Sequence, residues 1–166
     1  MKAPKITIFL TLAIFFAYAS STFADEQPKI KVEQDMREVY DFIKGCGYYF
    51  LATTEGAQPR VRPFGTLVIF EGKMYFQTGK SKNVSKQISR NQKIEICAYD
   101  GKEKWIRVQA VAINDDRREA KQFMLDAYPQ LKGRYSPDDD NTQVLYLKDA
   151  TATLYSVSEE AKIIKF

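Results

Sequence analysis

The sequence has no histidine and only two cysteines among its 166 residues. Without histidine, a Ser-His-Asp or Cys-His catalytic pair cannot form within the chain. Histidine ligation of zinc or haem is excluded too, as is the usual general base at neutral pH. Two cysteines allow one disulfide at most, so this is not a disulfide-stapled scaffold. Eight glycines and six prolines imply no low-complexity linker. Charge of one sign is also scarce. The chain carries 25 basic and 21 acidic residues, net +4, and two of the bases, Lys2 and Lys5, lie in a first stretch of 24 residues that holds no acid. The remainder is therefore only +2, too weak an excess to imply nucleic acid. The one long apolar run, Ile6–Ala19, falls short of the ~20 residues a membrane-spanning helix needs. What is present is 45% hydrophobic, 28% charged and 13% aromatic, the composition of one globular domain.

The N-terminus reads as an address. Lys2 and Lys5 precede the apolar run, and Ser20, Ser21, Thr22, Phe23 and Ala24 separate it from the first acid, Asp25. A basic head, an apolar middle and small residues before a cut after Ala24 make a secretory signal peptide over residues 1–24. An uncleaved anchor is the alternative, and both place the domain in the periplasm or outside the cell. No cysteine follows the run to carry a lipid, and no twin-arginine pair precedes it. Residues 25–31 look like a polar linker, leaving residues 32–166 as the domain, with no stable membrane insertion after cleavage.

Periodicity assigns the elements. Met36, Val39, Tyr40 and Ile43 fall on one helical face over Asp35–Lys44, and Gly45 is its stop. Tyr48–Thr53 is a strand, Glu55–Gln58 its turn, and Arg60–Phe70 a long extended run in which Pro63 and Gly65 mark a bulge, an edge or a close approach. Glu71-Gly72-Lys73 turns into Met74–Thr78. Ser81 is positioned to cap a short helix with Val84 and Ile88 inward. Lys93–Tyr99 and Trp105–Ile113 are strands. Asn114 or Asp115 caps a helix carrying Ala120, Phe123, Met124, Ala127 and Tyr128, which Pro129 ends. After a polar loop, Gln130–Asn141, Gln143–Leu147 and Thr151–Val157 complete the β structure. The expected fold is mainly β within the α+β class: a six- to seven-stranded antiparallel split barrel with peripheral helices. The connections are too short for repeated parallel βαβ units, and closure hides strand edges.

The densest polar signal is Lys80–Lys93, with five basic residues and no acid. Its start, Thr78 to Asn83, joins a strand end to a helix start, where free N–H groups, hydroxyls and ammonium groups favour an anion. Arg60 and Arg62 share a face of the preceding extended run and can approach that corner, which makes a phosphate site. The competing reading is a solvated basic helix face. Cys46 and Cys97 read as separate free residues rather than a pair. Asp138-Asp139-Asp140-Asn141 lacks calcium-loop spacing and reads as a solvated loop. Asp115, Asp116 and Glu119 suit a helix dipole. No metal site is expected.

The ordered set Tyr49-Phe50-Leu51-Ala52-Thr53-Thr54, Pro59-Arg60-Val61-Arg62-Pro63-Phe64-Gly65, Met74-Tyr75-Phe76-Gln77-Thr78 and Ser81-Lys82-Asn83-Val84-Ser85-Lys86-Gln87-Ile88, followed by Asn91 and Ile94-Glu95-Ile96, resembles the pyridoxamine 5′-phosphate oxidase-like, FMN-binding split-barrel family. Its nitroimidazole-reductase-like branch is most similar. The resemblance spans residues 32–166. It implies FMN in a cleft between the two subunits of a homodimer. Carried over by position, Arg60 and Arg62, with Pro63 beside them, would bind the phosphate or ribityl region. Gln77 and Thr78 would line the flavin, and Ser81 and Lys82 would hold the phosphate. Asn83 stands where many members carry a second lysine, which removes a charge. Trp105 lies on the strand expected near the ring and the partner, where its apolar bulk also suits core or interface packing.

Other family features are missing. Pyridoxamine phosphate oxidase itself has a C-terminal substrate-phosphate signature with Arg and His. This chain ends Ile163-Ile164-Lys165-Phe166 and also lacks a histidine used by some nitroimidazole reductases. The expected function is therefore an exported FMN oxidoreductase that reduces a small electron-poor acceptor, with the flavin as the reactive group and no catalytic side chain. The alternative is a non-catalytic binding module for flavin, haem or another anionic ligand. Export and the +2 balance argue against nucleic-acid binding.

Overall fold

The computed structural model describes the backbone of residues 10–166 and the side chains of residues 28–166. The signal peptide expected over residues 1–24 thus lies outside the residues whose side chains are described. Helix α1 runs over Leu10–Gly45. The polar linker expected over residues 25–31 is instead helical backbone. Glu, Gln and Lys are good helix formers, so a polar composition does not by itself end a helix. Pro28 sits inside the helix and forgoes one backbone hydrogen bond. Further along, Met36, Val39 and Ile43 are buried as their spacing predicts.

Eight strands follow, all paired antiparallel. Strands β1 (Tyr49–Glu55) and β2 (Gln58–Phe64) form one hairpin. Strands β3 (Val68–Phe70) and β4 (Lys73–Gly79) form another. The second turns at Glu71 and Gly72, both with positive φ, the backbone of a primed hairpin turn. Helix α2 (Asn83–Arg90) leads to β5 (Lys93–Tyr99) and β6 (Lys104–Asp115). Helix α3 (Arg118–Ala127) and a 3-10 turn, Pro129–Leu131, lead to β7 (Thr142–Ser156) and β8 (Lys162–Lys165). The order across the sheet is β2-β1-β5-β6-β7-β4-β3, with β8 also on β7.

The strand count exceeds the expected six or seven for two reasons. The four-residue β8 is added at the C-terminus. The run expected over Arg60–Phe70 is also cut by Gly65–Leu67, which leaves the ladder. Pro63, near the end of an edge strand, has no N–H to extend it. Side chains satisfy the freed backbone instead. Tyr49 Oη donates to Thr66 O at 2.8 Å. Tyr128 Oη accepts from Leu67 N–H at 2.8 Å and donates to Leu67 O at 3.0 Å. The two β segments expected near the C-terminus are one strand, β7, with a bulge. Its register on β6 slips between Gln109 and Val111, where Asp149 has φ 53°. The extra residue bends the strand, so its first half pairs with β4 and its second with β8.

The main core lies inside the barrel, where Leu51, Phe76, Ile96, Ile106 and Leu145 are almost fully buried. Each contributes about 1.5–3 kcal/mol by leaving water. A second cluster, Val68, Tyr75, Ala120, Met124 and Val144, lies beneath α3. The cap expected at Asn114 or Asp115 is displaced to Arg117 because β6 stays paired through Asp115. Asp115 takes the Arg117 guanidinium and the Tyr75 hydroxyl. Cys46 and Cys97 are free thiols.

Candidate functional site

The barrel is split between the two ends of its strand order. β3 pairs with β4 only through Val68–Phe70 and Lys73–Tyr75, so β4 beyond Tyr75 has no strand on that edge. Strand β2 ends opposite it. Between them lies a cavity of about 260 Å³, lined by Arg62–Thr66 on one side and by Gln77 and Thr78 on the other. Lys82 and Val84 close one end, and Leu131 and Tyr135 reach over from the segment after α3.

The polar groups of this seam are unequally satisfied. Thr66 Oγ1 accepts from the Gln77 backbone N–H at 3.0 Å. The Gln77 side chain is 5% exposed, yet neither its Nε2 nor its Oε1 has a partner. Thr78 is 3% exposed, and its hydroxyl is unpartnered as well. Leaving a buried polar group unpaired costs about 1–3 kcal/mol. Gln77 and Thr78 are successive residues of β4, so these groups lie on opposite faces of the strand, and Thr142 Oγ1 and Gln143 Oε1 on the paired β7 are unpartnered as well.

Arg62 is largely committed. Its Nη1 donates to Leu51 O at 3.1 Å and to Thr53 Oγ1 at 2.7 Å, and its Nη2 donates to Gln87 Oε1 at 2.7 Å. Thr53 Oγ1 in turn donates to Gln87 Oε1 at 2.6 Å. Burial, then the neighbouring Arg60 charge, push the Arg62 pKa down from its ordinary value, but a guanidinium stays charged. The network ties β1, β2 and α2 together and leaves the Nε–H and one Nη2–H for a ligand. Lys82 is exposed, with Nζ 5.8 Å from the Tyr135 ring centroid.

The expected anion corner differs in one respect. Its backbone N–H groups are not free: Lys80 N–H donates to Asn141 O at 2.8 Å, Ser81 N–H to Asn141 Oδ1 at 3.0 Å and Lys82 N–H to Gly79 O at 3.0 Å. The expected Ser81 cap is replaced by Lys82, without a side-chain cap bond. What remains is the start of α2, where Asn83 and Val84 stand at positions a helix leaves without internal acceptors. Lys80 pairs with Asp116 at 2.9 Å. Cation supply at the seam therefore rests on Lys82 and Arg62.

Of the residues expected to bind a cofactor, Arg62, Pro63, Gln77, Thr78 and Lys82 line the cleft. Arg60 is exposed and bonds Glu55, with Nη2 2.7 Å from the carboxylate. Ser81 and Asn83 flank the cleft without lining it. Trp105 is on the outer face of the sheet, stacked on Tyr155 at 5.0 Å and 8°, so it reaches no cleft of its own chain. Thr66, Val84, Leu131 and Tyr135 line the cleft unforeseen, because no period or motif links a strand break, a helix and a loop 50 residues later. Among the described residues no group of three or more His, Cys, Asp or Glu could hold a metal, and no helix is long and apolar enough to cross a membrane.

Residues 36–155 match the pyridoxamine 5′-phosphate oxidase family model. The fold superposes on a NimC/NimA family protein of Clostridium acetobutylicum with TM-score 0.79 and 40% identity, over 83% of this chain and 96% of the other. It also superposes on general stress protein 26 of Bacillus anthracis, with TM-score 0.60 and 17% identity over 78% and 96% of the two chains. A heme binding protein of Mycobacterium smegmatis gives TM-score 0.57 and 12% identity over 75% and 55%. At these identities the last two establish a shared fold alone. Curated protein sequences give no match.

Proposed function

The chain belongs to the pyridoxamine 5′-phosphate oxidase family, and from that membership we propose that it binds FMN at the seam and works as an oxidoreductase on a small electron-poor acceptor. The observation that carries this reading is the cleft at the seam, which brings Lys82 and Arg62 together with the polar residues Thr66, Gln77 and Thr78. A flavin mononucleotide matches that donor set. Its phosphate suits the two cations, and its ribityl hydroxyls and ring carbonyls suit an amide that can both donate and accept.

When bound, FMN supplies the electron transfer from a nicotinamide or protein donor to the acceptor. The chain's own part is binding and orientation. Lys82 and the free edge of Arg62 hold the phosphate. Gln77 and Thr78 fix the polar length of the ligand. Phe64, Val84 and Leu131 keep water from its apolar side. No side-chain nucleophile or base is needed.

The cleft is small for a whole flavin, which favours completion by a second copy. The outer face of β1, β5, β6, β7 and β8 is suited to pack there, since it exposes Phe50, Tyr99 and Ile163 and carries the Trp105–Tyr155 stack. We propose a homodimer joined through this face, exported by the N-terminal segment. The cleft lining contains no His, Cys or Met, and Tyr135 is the one side chain in it that could ligate haem iron.

The test is the visible spectrum of the purified protein before and after FMN addition and gel filtration. Retained flavin at dimer mass, bleached by a donor and reoxidised by a nitroaromatic, is the expected result. Retained flavin that no donor reduces would make the protein a binding module. A folded protein that retains none would refute the FMN site.

A further inference from the structure

The segment between α3 and β7 (Lys132–Asn141) is sequentially remote from every residue expected in the site, yet it forms one wall of the seam. Tyr135 lines the cleft together with Arg62 and Lys82, and its ring is near the Lys82 ammonium. The ring is also held from behind. A Cβ at Gly79 would lie 3.3 Å from Tyr135 Cε1 and 3.1 Å from Asn141 Nδ2, so the absent side chain of Gly79 is what lets the loop close on β4.

The loop is pinned at several points. Tyr135 N–H donates to Leu131 O at 3.1 Å. Asn141 accepts both Lys80 and Ser81 N–H. Arg118 donates to Asp138 at 2.7 Å. The Asp139 carboxylate accepts N–H groups from Ser136, Asn141 and Thr142. A wall fixed this way does not yield to a ligand without breaking several hydrogen bonds.

We propose that Tyr135 is a specificity-determining residue of the cleft. It closes the phosphate end, so that the site admits a flavin ending in a phosphate monoester and rejects one whose phosphate continues into a second nucleotide. The proposal rests on the FMN reading above. The physical reason is that Lys82 fixes where the phosphate sits, and the Tyr135 ring over Lys82 occupies the direction in which a dinucleotide must continue. A further effect acts the same way. A monoester carries up to two negative charges against the two cations, whereas each phosphate of a dinucleotide carries one.

The test is fluorescence titration of the full chain with FMN, FAD and riboflavin, for the wild type, Tyr135→Ala, Tyr135→Phe and Tyr135→Leu. The wild type is expected to prefer FMN over FAD by about tenfold or more. Tyr135→Ala should move that ratio toward one, chiefly by tighter FAD binding. Tyr135→Phe, which keeps the ring, should hold the wild-type ratio. Tyr135→Leu gives an intermediate ratio and serves if the alanine variant fails a circular-dichroism check of folding. An unchanged ratio in the folded Ala and Leu variants overturns the role of Tyr135, as does a wild type that takes FAD as well as FMN. A folded wild type that binds neither flavin overturns the FMN reading itself.

Discussion

Lys82 and Arg60 carry the same charge, but their surroundings differ. Lys82 stands at the mouth of the seam beside Tyr135. Arg60 stands on an exposed edge and already pairs with Glu55, and an exposed pair is worth about 0–1 kcal/mol. Lys82→Ala should therefore weaken FMN binding by about tenfold or more, since a charge-assisted phosphate contact is worth about 1.5–3 kcal/mol, and Arg60→Ala should cost clearly less. Fluorescence titration of both variants checks the ranking, and an equal or reversed order would assign the phosphate to Arg60. Gln77 gives a sharper test. Its unpaired amide is costly in the ligand-free protein, so Gln77→Leu should leave the melting temperature unchanged or raise it while flavin retention falls. A fall in ligand-free stability with unchanged FMN affinity would mean that the amide serves the fold. The Arg62 and Gln77 positions were legible from the sequence through charge and family order. That Arg62 spends three donors on Leu51, Thr53 and Gln87 was not, because those partners converge only when β1, β2 and α2 pack.

Elements place these residues by breaking regularity at chosen points. The seam exists because Gly65–Leu67 leaves the ladder and tyrosine hydroxyls replace its hydrogen bonds. Pro63 and Gly65 announce an irregularity in the sequence, but the hydroxyls come from Tyr49 and Tyr128, 17 and 61 residues from their acceptors. In the sequence the Lys132–Asn141 segment reads as part of a polar, solvated loop. Its Asp139 is instead the hub of the loop. Burial pushes that carboxyl up, but hydrogen bonds from Thr142, Ser136 and Asn141 hold it below the ordinary carboxylate value. A pKa depressed in the folded state contributes stability above the unfolded value, and that stability is lost as pH falls through the folded one. Loop protection should thus be full at neutral pH and decay in acid below the usual Asp range. Hydrogen exchange at Asn141 and Thr142 measured against pH checks this. Asp139→Asn should show weaker protection at neutral pH and a flatter acid dependence. The wild-type profile in the variant would remove Asp139 from the hub.

At the scale of the whole molecule, the outer face of β1, β5 and β6 is the unusual surface. Phe50 is 52% exposed and Tyr99 55%, and β8 adds Ile163 at 65% on the same face. Large exposed apolar side chains gathered on one sheet face suit an interaction surface, and the proposed dimer would use that face to complete the small seam cavity. Sedimentation of the full chain should give a dimer. Phe50→Asp should yield a folded monomer that loses flavin, since one change would remove both the interface and the second wall of the site. A Phe50→Asp dimer with full flavin retention would place the interface elsewhere.

The sequence alone determined the antiparallel β class, the buried face of α1, both early hairpins and the basic run over Lys80–Lys93. Each is written in local pattern: period, turn residues and charge within a dozen positions. Tertiary structure decided what depends on distant contacts. It extended α1 through the polar stretch, merged two segments into the bulged β7 and moved Trp105 to the outer face. It also filled the turn's N–H groups with Asn141 and brought Tyr135 over Lys82. Local pattern carries no information about which groups meet once the sheet closes, because that is set by the register of strands far apart in the chain.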